Sequence, residues 1–383
     1  MMISETKIGL LIPQSKQYPG LDRDFVRGVR LSGLKAKYFV ESIGVGADDQ
    51  LIIDKIQKLS FQEDIKVVIA FFGHRNMESV YTYAAEHNIL LIVSDIGATL
   101  PYTMVKKRGV YINSLGLTES SFLLGNFFSG EKKYRNIATS SSYYDVGYGI
   151  QSAIELSLYQ NNAQFSGHYI TPFYPRENEA ECMTESIQSF KPDAVFAFHS
   201  GLYAEEHASF IGVNQLTREY PFYLTSFSIS DKIIQQHGAG LNEVFLVGSW
   251  LEGMKDESDC AFTKEYRLVH QHNPSSFSLL GYESGLVVKN LLEICGEDPQ
   301  FHVLEAKISE IELEGPRGTI RFQPETNRTV YDHYICQLTI DSEANKALEQ
   351  IEVLKNDGRF IREIIEQNPP EQLGGWHNAY LCH

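Results

Sequence analysis

The sequence predicts an α/β protein built as two doubly wound lobes, one following the other. Two observations carry this. Short runs that are apolar throughout alternate with segments whose apolar residues recur at helical spacing, and the rhythm runs through the chain twice. Strands that are hydrophobic on both faces and separated by amphipathic helices are what a parallel sheet covered on both sides requires. A third observation is an absence: no Pro/Gly/Ser-rich linker divides the halves, so several short crossovers acting as a hinge are expected.

The elements follow in order. Ile8–Ile12 reads as the first strand, ended by Pro13. Leu51, Ile52, Ile56 and Leu59 mark a helix face, Val67–Phe72 a strand stopped by Gly73, and Val80, Tyr81, Ala84 and Ala85 a second helix face. Ile89–Val93 is the next strand, with a loop through Thr99. The second half reads as strands at 136–139, 168–171, 194–198, 222–225 and 244–248, with helices at 148–159, 179–190 and 203–215 between them. Helices follow near 261–272 and 277–294. Thr319–Phe322 and Tyr334–Ile340 read as two late antiparallel strands. The tail, helical over Arg359–Gln367 and carrying Pro369-Pro370, is expected to be a surface appendage.

Composition narrows the function. A length of 383 residues favours two domains, and 43% hydrophobic with 21% charged residues is globular rather than disordered. The formal net charge of −16 disfavours nucleic acid and anionic membrane as partners. No run approaches the ~20 apolar residues of a membrane helix. The start lacks the basic leader, longer apolar core and cleavage site of a secretory signal. It therefore reads as cytoplasmic as it stands, and as periplasmic if a leader was removed. The five cysteines (Cys182, Cys260, Cys295, Cys336 and Cys382) form no CxxC pair and read as buried free thiols.

No cofactor is expected. The chain has no GxGxxG after its first strand, no GxxxxGK[ST], no GxSxG and no HExxH. His270 and His272 stand two apart, which on a helix points them away from each other. An α/β enzyme is thus a minor alternative, as is a scaffold whose cleft binds nothing.

Four stretches resemble a known family. Lys7-Ile8-Gly9-Leu10-Leu11-Ile12-Pro13, with Gln17-Tyr18-Pro19-Gly20 and Arg27-Gly28-Val29, is similar to its opening strand, ligand loop and first helix. Val67–Gly73, Ile89–Ser94 and Ala98-Thr99 resemble the core of its first lobe. Asp145 to Gly149, with Tyr148-Gly149 before a helix, resembles a motif of its second lobe. Glu314–Phe322 followed by Val330–Gln337 resembles its late strand-turn-strand segment. The family is the type I periplasmic-binding-protein superfamily, in its branched-chain amino-acid-binding branch.

The resemblance implies two Rossmann-like lobes joined by a three-strand hinge, closing like a flytrap on a small ligand without catalysis. It implies a first lobe of 1–115 plus 250–318 and a second of 116–249 plus 319–383. The ligand is expected to be an amino acid, an amide or another carboxylate-bearing compound. The macromolecular partner would be an ABC permease, or a regulatory protein if the chain is a cytoplasmic sensor. A monomer or homodimer is expected.

Candidate ligand residues lie at strand ends. Gly73, His74 and Arg75 precede a helix, where free N–H groups and a guanidinium suit a carboxylate. Ser94, Ala98 and Thr99 offer hydroxyls and backbone amides, which bind an anion without burying a net charge. Tyr18 and Tyr148 would cover an apolar ligand body from opposite lobes. His199 and Tyr203 would close the cleft, with His199 a source of pH dependence. Ser226 and Phe227 are carried by position alone. Ser140-Ser141-Ser142 is expected to be an ordinary polar loop.

Two departures stand out. Arg30–Val40, with Ser32-Gly33-Leu34-Lys35, is shorter than the family's turn after its first helix. Family members that bind amino acids place an acidic residue after the strand ending near Thr225, where this chain has Ser226-Phe227-Ser228-Ile229-Ser230 before Asp231. An ammonium partner is missing there.

Overall fold

The computed structural model describes residues 6–100, 106–254, 260–296, 300–341, 345–367 and 380–381. The first sheet holds β1 (Lys7–Ile12), β2 (Lys37–Ser42), β3 (Val67–Phe71), β4 (Leu90–Asp95) and β5 (Val110–Ser114), all parallel, in the order β2-β1-β3-β4-β5. Every residue of β3, β4 and β5 is buried, because helices cover both faces. Strand β2 lies at the edge and is half-exposed. Its alternation of charged and aromatic residues hides it from an apolar-run reading.

Helices α1 (Leu21–Leu31), α2 (Asp49–Glu63) and α3 (Glu78–Glu86) come from within this half. Three more, α9 (Ala261–His270), α10 (Ser276–Cys295) and α11 (Phe301–Ile308), return to it after the second sheet is made. Glycine lets α1 and α10 touch at the backbone: a Cβ on Gly28 would stand 1.9 Å from the carbonyl oxygen of Ser278.

The second sheet runs β14-β13-β10-β9-β8-β6-β7. Strands β6 (Asn136–Ser142), β7 (Gln164–Thr171), β8 (Ala194–Phe198), β9 (Phe222–Thr225) and β10 (Phe245–Gly248) are parallel. Ser140, Ser141 and Ser142 belong to β6 rather than to a loop. Helices α4 (Leu117–Gly130), α5 (Ile150–Gln160), α6 (Glu179–Phe190), α7 (Gly201–Asn214) and α8 (Asp231–His237) cover it. Strands β13 (His333–Ile340) and β14 (Lys346–Leu354) extend it as an antiparallel ribbon.

The two late strands expected as a pair belong to different sheets. β12 (Gly318–Ile320) turns back on β11 (Leu313–Gly315) across Pro316-Arg317, whereas β13 pairs with β10 and β14. Residues 327–329 run beside β5, with Ile112 bonded to Asn327 and Thr329.

Two buried arginines staple the crossings between the sheets. Arg317 bonds Glu283 at 2.5 and 2.9 Å, the Ser114 carbonyl at 2.8 Å, Asn113 at 2.9 Å and Ser249 at 3.0 Å. Arg328 bonds Glu119 at 3.1 Å and Ser114 at 2.8 Å. The chain leaving β5 at Ser114, the chain after Gly248 at Ser249 and the stretch carrying Arg317 and Arg328 are thereby tied together in the interior.

The tail corrects an expectation. Helix α12 (Arg359–Gln367) is no surface appendage. Phe360, Ile361 and Ile364 form one apolar face buried against Leu100, Phe122 and Ala153. Farther on, Tyr380 and Leu381 are buried too. Pro369-Pro370 and Cys382 lie outside the described residues. Cys336 is the one buried thiol among the described cysteines; Cys182, Cys260 and Cys295 are half-exposed, since helix surfaces and ends carry them. Among the described residues no helix is long and apolar enough to cross a membrane.

Candidate ligand site between the lobes

In open α/β sheets a ligand crevice opens where the strand order reverses, beyond the carboxyl ends of the strands. The first sheet reverses between β1 and β3, the second between β6 and β8. The loops leaving these four strands carry Tyr18, Gly73, Asp145 and Ser200, and they face each other across the junction of the lobes.

Tyr18 spans that junction. Its hydroxyl accepts a hydrogen bond from the Gly201 N–H at 2.9 Å, and the side-chain Oε1 of neighbouring Gln17 accepts from the Leu202 N–H at 3.1 Å. The Tyr18 ring meets Phe277 and Phe227 edge to face, at 5.5 and 6.0 Å between centroids. Burial drives its hydroxyl pKa well up, so it stays a neutral phenol. Gly201 permits the approach: its φ is +53°, and a Cβ would stand 2.2 Å from Gln17 Oε1. A third tie joins the Gly149 N–H to the Ala98 carbonyl at 3.0 Å. The lobes are closed on each other.

The second lobe supplies a buried acid that was not singled out as a ligand residue. Asp145 accepts from Ser142 Oγ at 2.6 Å, Ser200 Oγ at 2.7 Å and the Ser200 N–H at 3.1 Å. Burial outweighs these bonds and pushes its carboxyl up to about 6. The signal was present: Asp145 follows a strand at the reversal point and sits inside the motif that ends in Tyr148-Gly149. Beside it, the Tyr144 and Tyr148 hydroxyls meet at 2.5 Å.

Tyr380 completes the chamber. Its ring lies 4.7 Å from that of Tyr148 in a T-shape and stacks on Tyr144 at 6.4 Å. Its hydroxyl is buried beside Asp145 and Ser200, close enough to influence the carboxyl but short of hydrogen-bond geometry. On the first-lobe side a cavity of only about 20 Å³ remains between Tyr380, Gly73, Ala98 and Thr99, the room of a single water.

Other candidates turn inward. His74 is buried in the first lobe, its Nε2 2.7 Å from Asp95 Oδ2 and its Nδ1 2.5 Å from the Tyr81 hydroxyl. Burial raises the Asp95 carboxyl, but His74 and Arg328 together overcome it and hold the group at about 2. Ser94 faces α10, its hydroxyl 2.8 Å from that of Ser284. His199 stacks on His207 at 3.7 Å; burial first, then the second imidazole, keeps its pKa well below the usual range. It therefore stays neutral and is no pH sensor near neutrality. Phe227 packs on Tyr18, while Arg75, Tyr203 and Ser226 are half-buried near the ends of β3, β8 and β9. Among the described residues no cluster of side chains is arranged to hold a metal.

Residues 5–345 match the family described as periplasmic binding protein. The chain belongs to that family. Its members are non-catalytic binding proteins. Among solved structures, an ABC transporter substrate-binding protein from Sphaerobacter thermophilus superposes with a TM-score of 0.77 at 17% identity, covering 91% of this chain and 97% of that one. A solute-binding protein from R. palustris in complex with benzoate gives 0.72 at 20% identity, over 92% and 96% of the chains. One from Rhodopseudomonas palustris BisB5 in complex with 3,4-dihydroxybenzoic acid gives 0.72 at 17%, over 92% and 99%. No curated protein matches by sequence. At these identities the structures establish a shared fold: two parallel-rich sheets of the type I arrangement.

Proposed function

We propose that this chain is the solute-binding component of an ABC transporter and that its solute is an aromatic carboxylate bearing a ring hydroxyl. The carrying observation is the composition of the chamber. Tyr144 and Tyr148 form an aromatic wall beside a buried acid and hydroxyl, Asp145 and Ser200, and face the strand-end loops of Gly73 and Ala98-Thr99. A phenolic hydroxyl would donate to Asp145, the ring would lie against the tyrosines, and the carboxylate would meet backbone amides of the first lobe. The bound structures of the two R. palustris relatives, with benzoate and 3,4-dihydroxybenzoic acid, support this ligand class. The ABC permease is the partner to which a closed, loaded protein would dock.

The test is a thermal-shift series with benzoate, 4-hydroxybenzoate, 3,4-dihydroxybenzoate and leucine. A ligand at ~100 times its dissociation constant adds about 2.7 kcal/mol to the native state. Hydroxylated benzoates should raise Tm more than benzoate, and Asp145→Ala should abolish that difference. A shift by leucine and by none of the benzoates would move the ligand to the amino acids.

A further inference from the structure

What fills the chamber is the chain itself. Tyr380 touches or adjoins residues of both lobes: it packs on Tyr144 and Tyr148, lies beside Asp145 and Ser200, and caps the small cavity at Gly73, Ala98 and Thr99. The next residue is anchored as well. Leu381 is fully buried, and its carbonyl accepts a hydrogen bond from Ser15 Oγ in the loop after β1. Of the residues expected from sequence to hold a ligand, Gly73, Ala98, Thr99 and Tyr148 surround this one phenol.

We propose that Tyr380-Leu381 is an intramolecular occupant of the ligand chamber, which a soluble ligand must displace in order to bind. This rests on the reading of the inter-lobe space as the binding site. A phenol ring directed at Asp145 presents the same chemistry as a hydroxylated aromatic acid, so the two compete for one position. Because the segment is tethered, its effective concentration is on the order of millimolar. Only ligands that bind tightly or arrive at high concentration overcome it. The segment also explains why the lobes are closed around so small a void.

The test uses the full chain. In the wild type, Tyr380 should resist nitration by tetranitromethane, with the site read by mass spectrometry, and become reactive when 4-hydroxybenzoate is added. In Tyr380→Ala, amide exchange at Gly149 and Gly201 should accelerate at least about tenfold while β4 stays protected. A peptide of sequence Asn-Ala-Tyr-Leu added in trans should restore it. Calorimetric affinity for 4-hydroxybenzoate should tighten at least about tenfold in the variant. Free-peptide reactivity of Tyr380 in the wild type, or unchanged exchange at Gly149 and Gly201 in the variant, overturns the proposal. If 4-hydroxybenzoate binds neither protein, the aromatic-acid ligand falls, and nitration and exchange still decide the occupant. If it binds both equally, the occupant falls and the ligand stands. Wild-type nitration needs no variant, so it decides the occupant even where Tyr380→Ala fails to fold.

Discussion

The Tyr18 hydroxyl and the Gly201 N–H meet at 2.9 Å across the boundary between the lobes. The bond exists only when the lobes are shut, so it measures closure. Tyr18→Phe removes the acceptor and leaves a donor half-buried. About 1 kcal/mol of closed-state stability should be lost. Because the ligand-free lobes are already shut, the loss falls on the free protein: amide exchange at Gly201 should accelerate roughly fivefold and Tm should fall. Unchanged exchange at Gly201 would mean that the bond does not form in solution.

Gly201 itself should be less replaceable than Tyr18. Its φ of +53° disfavours any side chain, and a methyl group would collide with Gln17. Gly201→Ala should keep each lobe folded by circular dichroism while small-angle scattering shows a larger radius. A variant as compact as the wild type would contradict the closure geometry.

Asp145 sets a pH dependence. Its folded-state pKa of about 6 lies above the ~4 of an unfolded aspartate, with burial the leading cause. The native state therefore holds its proton more tightly. Stability from this group is fully present below about pH 4 and is lost as pH rises through 6. The loss is about 3 kcal/mol, since the folded and unfolded values lie about two pKa units apart at ~1.4 kcal/mol each. Urea unfolding between pH 4 and 7.5 should show this slope in the wild type and not in Asp145→Asn. Equal slopes would place the carboxyl in a wetter environment.

Arg317 should be among the most sensitive positions outside the chamber. It is buried and paired with a buried Glu283 at 2.5 Å. Arg317→Met leaves that carboxylate uncompensated, a change that typically costs ~3–5 kcal/mol. Arg317→Lys should rescue little, because an ammonium cannot bond Glu283, Asn113, Ser249 and the Ser114 carbonyl together. Thermal unfolding of both variants checks this.

The parts of the fold legible in the sequence were those whose burial is symmetric. β3, β4 and β8 are covered on both faces and read as unbroken apolar runs. β2 and β14 lie at sheet edges, and their mixed polarity masks them. Of the candidates placed at strand ends, the structure brings Tyr18, Gly73, Ala98, Thr99 and Tyr148 to the junction of the lobes. His74, Ser94 and His199 turn into the lobes instead, because a strand end does not fix which way a side chain points. For Asp145 the motif ending in Tyr148-Gly149 carried a signal, whereas its meeting with Ser200 follows from the strand order, which a one-dimensional pattern does not contain. Nor does the sequence show that an amphipathic helix at 359–367 returns its apolar face to the body.

The glycine-mediated contact between α1 and α10 has a consequence for how the polypeptide is made. Gly28 meets a partner some two hundred and fifty positions downstream, at Ser278 and Tyr282. During synthesis the first five strands therefore emerge long before the helix that covers one side of them. The second group of parallel strands leaves the ribosome before that covering helix and can assemble first. The earliest-made half thus waits for a helix made after all the parallel strands of the other half. Until then its apolar sheet surface is open, and this is the interval in which a chaperone would be needed most.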